Sequence, residues 1–148
     1  MATQDITTTI LVYKTAEEVF NSINTPEKWW SGEFTGAAQK QDDEFTYRYK
    51  DMHYSKQRVV EFISGQKVVW LVTDSQLNFI EDKSEWTGTK ISFEITEKDG
   101  QTQVVFTHHG ISPQVECYDA CNGAWTDIIG QSLVKYITTG ETQQIALD

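Results

Sequence analysis

From Cys117 to Ile137 the apolar side chains recur at steps of three and four residues: Cys117, Cys121, Trp125, Ile128, Ile129, Leu133, Tyr136 and Ile137. That spacing is one stripe along a single long helix. Ser112 and Pro113 resemble its N-cap and first position, and Gly140 stands where a helix ends. From Glu116 to Thr139 such a helix reaches roughly 35 Å at 1.5 Å per residue. Gly123 weakens its first turns and marks the expected place of a kink. A stripe this long must be covered by an apolar surface equally long, and that requirement constrains everything upstream.

What lies upstream has period two. "EFTYRYK" sets Phe45, Tyr47 and Tyr49 on one face and Glu44, Thr46, Arg48 and Lys50 on the other. "HYSKQRVVEFI", "KVVWLVTD", "TKISFEITE" and "QTQVVFTHH" follow as strands, with turns at Gly65 and at Asp99–Gly100. "TKISFEITE" places Ile91, Phe93 and Ile95 together, whereas in "HYSKQRVVEFI" neither parity is uniformly apolar. Arg58 shares a parity there with Val60 and Phe62, so it either anchors an acidic ligand or sits near a strand end with its head in water. With an opening strand over Ile6–Tyr13, six strands are expected.

Between the first strand and the rest lie two short helical stretches. In "TAEEVFNSI", Thr15 and Glu18 have the spacing of a capping box. In "TPEKWWSG", Pro26 begins a second helical turn that carries Trp29 and Trp30. Adjacent positions on a helix point about 100° apart, so the two indoles cannot fill one hole. The stretch from Ser31 to Asp43 reads as a loop.

Composition closes off several classes. The 148 residues suit a single domain spanning 1–148, and a net charge of −10 disfavours nucleic acid and anionic membranes, which reward clustered Lys and Arg. No basic segment precedes an apolar run at the N-terminus and no stretch approaches the ~20 apolar residues of a membrane span, so a cytoplasmic location is expected. No phosphate loop, dinucleotide fingerprint or serine-hydrolase elbow is present, and no cofactor is expected.

The element order of strand, two short helices, successive antiparallel strands and a long C-terminal helix resembles the helix-grip fold of the START and birch-pollen-allergen superfamily (SRPBCC). The nearest likeness is to the branch of the heat-shock-protein-90 ATPase activator's C-terminal domain. "TPEKWW", "VVEFISGQKVVWLV", "TQVVFTHHG" and "GAWTDIIGQSLVKYITTG" carry it. The resemblance implies an α+β fold in which a curved, six-stranded antiparallel sheet wraps around the C-terminal helix and a cavity lies between them. It implies a carrier of a small hydrophobic or amphipathic molecule, lipid-like or aromatic. Its alternatives are a co-chaperone of the stress response that activates a chaperone ATPase, and a small-molecule cyclase or hydrolase. The protein is expected as a monomer or weak homodimer.

One of Trp29 and Trp30 is expected to pack beneath the helix and the other to edge the cavity; the sequence does not assign them. The candidate ligand-contacting set is Trp30, Phe45, Tyr47, Tyr49, Arg58, Trp70, Phe93, Phe106, His108, Trp125 and Ile129. An aromatic wall of this kind describes a small-molecule pocket and equally a filled core. His108 shares parity with Val104 and Phe106 and looks inward, while His53 opens a strand and reads as solvated. Cys117 and Cys121, one turn apart, read as buried small hydrophobes; with a histidine and Glu116 or Asp119 they make a conceivable metal set, or a thiol nucleophile with a His base. No metal is assigned. The acidic clusters Gln41–Glu44 and Glu81–Glu85 read as solvated loops.

Overall fold

A computed structural model describes residues 6–30, 32–78, 80–81, 83–111 and 118–142. Among these, seven strands form one antiparallel sheet in the order β1-β7-β6-β5-β4-β3-β2. They are β1 (Ile6–Val12), β2 (Glu33–Gly36), β3 (Glu44–Tyr49), β4 (His53–Ile63), β5 (Lys67–Leu77), β6 (Lys90–Lys98) and β7 (Gln101–His109). Helix α1 (Ala16–Ile23) follows β1, and a 3₁₀ turn (Pro26–Lys28) follows α1. At the C-terminus α2 (Tyr118–Asp127), a π-helical segment (Ile128–Leu133) and α3 (Val134–Thr139) run on as one helix against the curved sheet. This is the helix-grip fold, with one strand more than the sequence pattern indicates.

The extra strand is β2, inside the stretch read as a loop. It is four residues long, sits at the sheet edge and pairs only with β3, through Phe34↔Tyr47. A short strand carrying one aromatic leaves no periodic signal. Gly36 has φ +99° and its backbone passes so close to the Glu44 carbonyl that a Cβ has no room, which reserves the position for glycine.

Local signals fix the ends of α1 and of the C-terminal helix. The Glu18 amide donates to Thr15 Oγ1 at 3.1 Å and the Thr15 amide to Glu18 Oε1 at 3.3 Å, closing the capping box. Gly140 caps the last helix in the left-handed conformation, φ +77°, with its amide on the Tyr136 carbonyl. Gly123 does not kink α2; the departure from α geometry lies downstream, in the π-helical turn that contains Gly130. Ser112, Pro113, Glu116 and Cys117 fall outside the described residues.

Strand β4 resolves the parity that its sequence leaves open. Ser55, Gln57 and Val59 are its fully buried side chains, and Arg58 is exposed. A bulge between Val59 and Glu61 then resets the alternation, so Phe62 reaches inward to Phe20 at 4.9 Å. Arg58 therefore does not share a face with Phe62 as unbroken alternation suggests. Its guanidinium lies 2.8 Å from the Asp42 carboxylate at the surface.

Candidate functional site

The two adjacent tryptophans take different roles, as their directions require. Trp29 is buried, and its indole N–H donates to the carbonyls of Ser22 and Ile23 at 3.1 and 3.3 Å. Its ring stacks on Trp70 at 6.3 Å and meets Phe93 edge-on at 5.9 Å. Its carbonyl accepts Ser132 Oγ from the π-helical turn at 2.5 Å, tying the 3₁₀ turn to the C-terminal helix. Trp30 lies on the other side, stacked on Tyr47 at 4.1 Å and 4.9 Å from Trp125. Gly32 makes the turn that follows: φ is +150°, and a Cβ there would overlap the Tyr47 ring.

Beyond Trp30 the core does not close. A pocket of about 100 Å³ opens there, with Trp30 and Trp86 contributed by connecting segments and Tyr47, Tyr49, Met52 and His53 by β3, β4 and the turn between them. From α2 come Ala120, Cys121, Ala124 and Trp125, with Ile128 below. Small residues on the helix thus face large rings on the sheet, and this mismatch leaves the space. None of the lining residues is Asp, Glu, Lys or Arg.

The rings are held by a chain of hydrogen bonds centred on His108. Trp125 Nε1–H donates to His108 Nδ1 at 3.1 Å, so Nε2 carries the imidazole proton and donates to Thr89 Oγ1 at 2.8 Å. Thr89 passes its own proton to the Trp86 carbonyl at 2.6 Å. Trp86 Nε1–H ends on Cys121 Sγ at 3.4 Å. Both nitrogens of His108 are used, its side chain is fully buried, and burial followed by the neighbouring histidines pushes its pKa down to about 3. His108 is therefore a neutral strut between the Trp86 loop and the helix, not a base that a ligand can reach.

His53 differs from its sequence reading. Its ring lies among Trp86 (4.4 Å) and Tyr47 (5.0 Å), and burial lowers its pKa to about 3, so it too is neutral. The Tyr47 hydroxyl is pushed above the usual phenol range, first by burial and then by Tyr49, with the Trp30 indole hydrogen bond opposing. The site has the chemistry of an uncharged aromatic socket.

Of the eleven residues picked from the sequence, Trp30, Tyr47, Tyr49 and Trp125 line this pocket. Phe45, Trp70, Phe93, Phe106 and Ile129 are buried in the filled part of the core: Phe45 meets Trp70 at 5.1 Å, and Phe106 backs Trp125 at 4.6 Å. His108 stands behind the wall and Arg58 on the outer surface. The other seven lining residues, Met52, His53, Trp86, Ala120, Cys121, Ala124 and Ile128, were not in that set. Trp86 sits in a polar, acidic connection, where the cost of leaving an indole in water is the signal that it must be covered. Among the described residues no three His, Cys, Asp or Glu groups gather as a metal site, and Cys117 and Glu116 lie outside them.

Comparison with known proteins follows the fold. A solution structure of the Aha1 dimer from Colwellia psychrerythraea is similar with TM-score 0.73 and 23% identity, over 93% of this chain and 98% of that one. A crystal structure of a protein from Staphylococcus saprophyticus gives TM-score 0.68 and 19% identity, over 97% and 98% of the two chains. A protein of the dynemicin biosynthetic locus gives TM-score 0.68 and 13% identity, over 95% of this chain and 49% of that one. No curated protein matches the sequence. The model of the family described as activator of Hsp90 ATPase homolog 1-like protein matches residues 14–138, from the end of β1 to the last turn of α3. That span contains the paired tryptophans, the pocket and the His108 strut, and the chain belongs to this family.

Proposed function

We propose that this protein binds a small, uncharged, apolar molecule in the pocket bounded by Trp30, Trp86 and Trp125. The observation that carries this reading is the socket itself: about 100 Å³ left open in an otherwise filled aromatic core. A water molecule takes up about 30 Å³, and pockets for drug-sized ligands run to roughly 300–1,000 Å³. The volume therefore suits one ring, a short branched chain, or the apolar end of a larger amphipathic molecule. Partly exposed residues at the rim, Met52, Ala120 and Ala124, give such a molecule a way in.

The test is isothermal titration calorimetry with single-ring compounds. A Kd between about 10 µM and 1 mM is expected, equivalent to about 4–7 kcal/mol. Ala124→Phe fills the socket from the helix and abolishes binding in a folded protein. Unchanged affinity in that variant overturns the reading.

A second reading, action on a chaperone ATPase, draws on the family description and on the likeness to an Aha1 dimer. It predicts stimulated ATP turnover when the protein is mixed with an Hsp90-type chaperone. The same likeness supports a homodimer, read from mass by light scattering.

A further inference from the structure

The wall of the socket uses up its hydrogen bonds almost completely. The indole N–H of Trp30 is turned to Tyr47, that of Trp86 to Cys121 and that of Trp125 to His108. The exception is His53. Its Nε2 lies 3.4 Å from Ser55 Oγ, while Nδ1 is bonded to no described residue and is not among the fully buried atoms. His53 lines the pocket, and Nδ1 is the ring nitrogen left over for a molecule bound there.

Whether that atom donates or accepts is decided one and two residues further along the inner face of β4. Gln57 Nε2 donates to Ser55 Oγ at 3.1 Å. Ser55 is fully buried, and its hydroxyl has two partners among the described residues, this amide and His53 Nε2. With the amide as donor, the serine proton has one acceptor in reach, His53 Nε2. A buried hydroxyl proton left without an acceptor is costly. The imidazole therefore keeps its proton on Nδ1.

Gln57 Oε1 is buried with no partner. The relay runs from the Gln57 amide through Ser55 to His53.

We propose that the socket selects uncharged apolar molecules bearing one acceptor oxygen, such as a ketone, aldehyde or ester carbonyl, with His53 Nδ1–H as the group that recognises it. Ser55 and Gln57 are positioning residues that hold the imidazole in this tautomer. The inference rests on the pocket reading above.

Two measurements on the full chain test it. Long-range ¹H–¹⁵N correlation spectra report the tautomer directly: His53 is expected as Nδ1–H, with the Nε2–H form gaining population in Ser55→Ala. An Nε2–H tautomer in the wild type overturns the inference without touching the pocket. Calorimetry then compares acetophenone with ethylbenzene, which differ by a carbonyl in place of a methylene. The wild type is expected to favour acetophenone about tenfold, the worth of one hydrogen bond of about 1.4 kcal/mol. His53→Phe is expected to remove that preference while still binding ethylbenzene. Equal wild-type affinities overturn the carbonyl assignment alone; binding of neither compound overturns the pocket reading and this one with it.

Discussion

The two ends of the helix–sheet interface are built from the same kinds of ring and behave differently. At one end Trp29, Trp70, Phe93 and Phe106 pack against each other with almost no exposed surface. At the other, Trp30, Trp86, Trp125 and Tyr47 pack as closely with one another yet leave a pocket. The sheet side is aromatic at both ends; the helix side changes. Ile129, Leu133 and Ile137 are buried further along the helix, while Ala120, Cys121 and Ala124 face the pocket beside Trp125 and Ile128. Small side chains on the helix, Ala120, Cys121 and Ala124, go with the space at the hollow end, and Trp29 and Trp30 mark the boundary.

The largest test of that division is a pair of truncations. Trp29→Ala removes a fully packed, hydrogen-bonded indole and is expected to cost about 3–5 kcal/mol in urea unfolding. Trp30→Ala, beside existing space, is expected to cost less and to enlarge the pocket. Equal losses would mean that the two regions do not differ in packing as described.

Acid separates the regions next. His53 and His108 lie at the hollow end with folded pKa values of about 3, against 6.5 in the unfolded chain. Their neutral forms are those of the folded state, so their contribution is complete above about pH 6.5. It declines as pH falls towards 3, because the unfolded chain binds protons first. The expected slope is up to about 1.4 kcal/mol per pH unit for each histidine. His108→Gln, compared by denaturant titration between pH 7 and 4.5, is expected to flatten that slope. A slope as steep as the wild type's removes His108 from the account.

A smaller effect sharpens the boundary itself. Gly32→Ala forces a side chain into a φ of +150° and against the Tyr47 ring. About 1–3 kcal/mol of lost stability is expected, with shifted Tyr47 and Trp30 resonances and an unchanged Trp29 environment. Shifts that spread to Trp29 would show the two ends to be mechanically one.

Much of the fold is legible in the sequence because its signals are local. The capping box at Thr15, the stripe from Cys121 to Ile137, the left-handed Gly140 and the alternation in β3 and β6 each follow from nearby residues. The site is less legible because its determinants are not. The inward face of β4 is Ser55 and Gln57, and hydropathy reads a polar face as outward. His53 looks solvated until Trp86, from a remote connection, lies 4.4 Å away. His108 looks like a reacting group until Thr89 and Trp125 are seen to take both its nitrogens. Buried polar residues become intelligible only with their partners, and here those partners come from other elements.

Trp30, Trp29 and Trp70 form a row of near-parallel indoles, with neighbouring planes within 14° and 13° and centroids 6.3 Å apart. Rings so aligned exchange electronic excitation far faster than they emit. The row therefore works as an optical conduit from the rim of the socket into the solid core. Were the proposed ligand to quench Trp30, emission that began on Trp70 would dim with it, giving a label-free readout of binding.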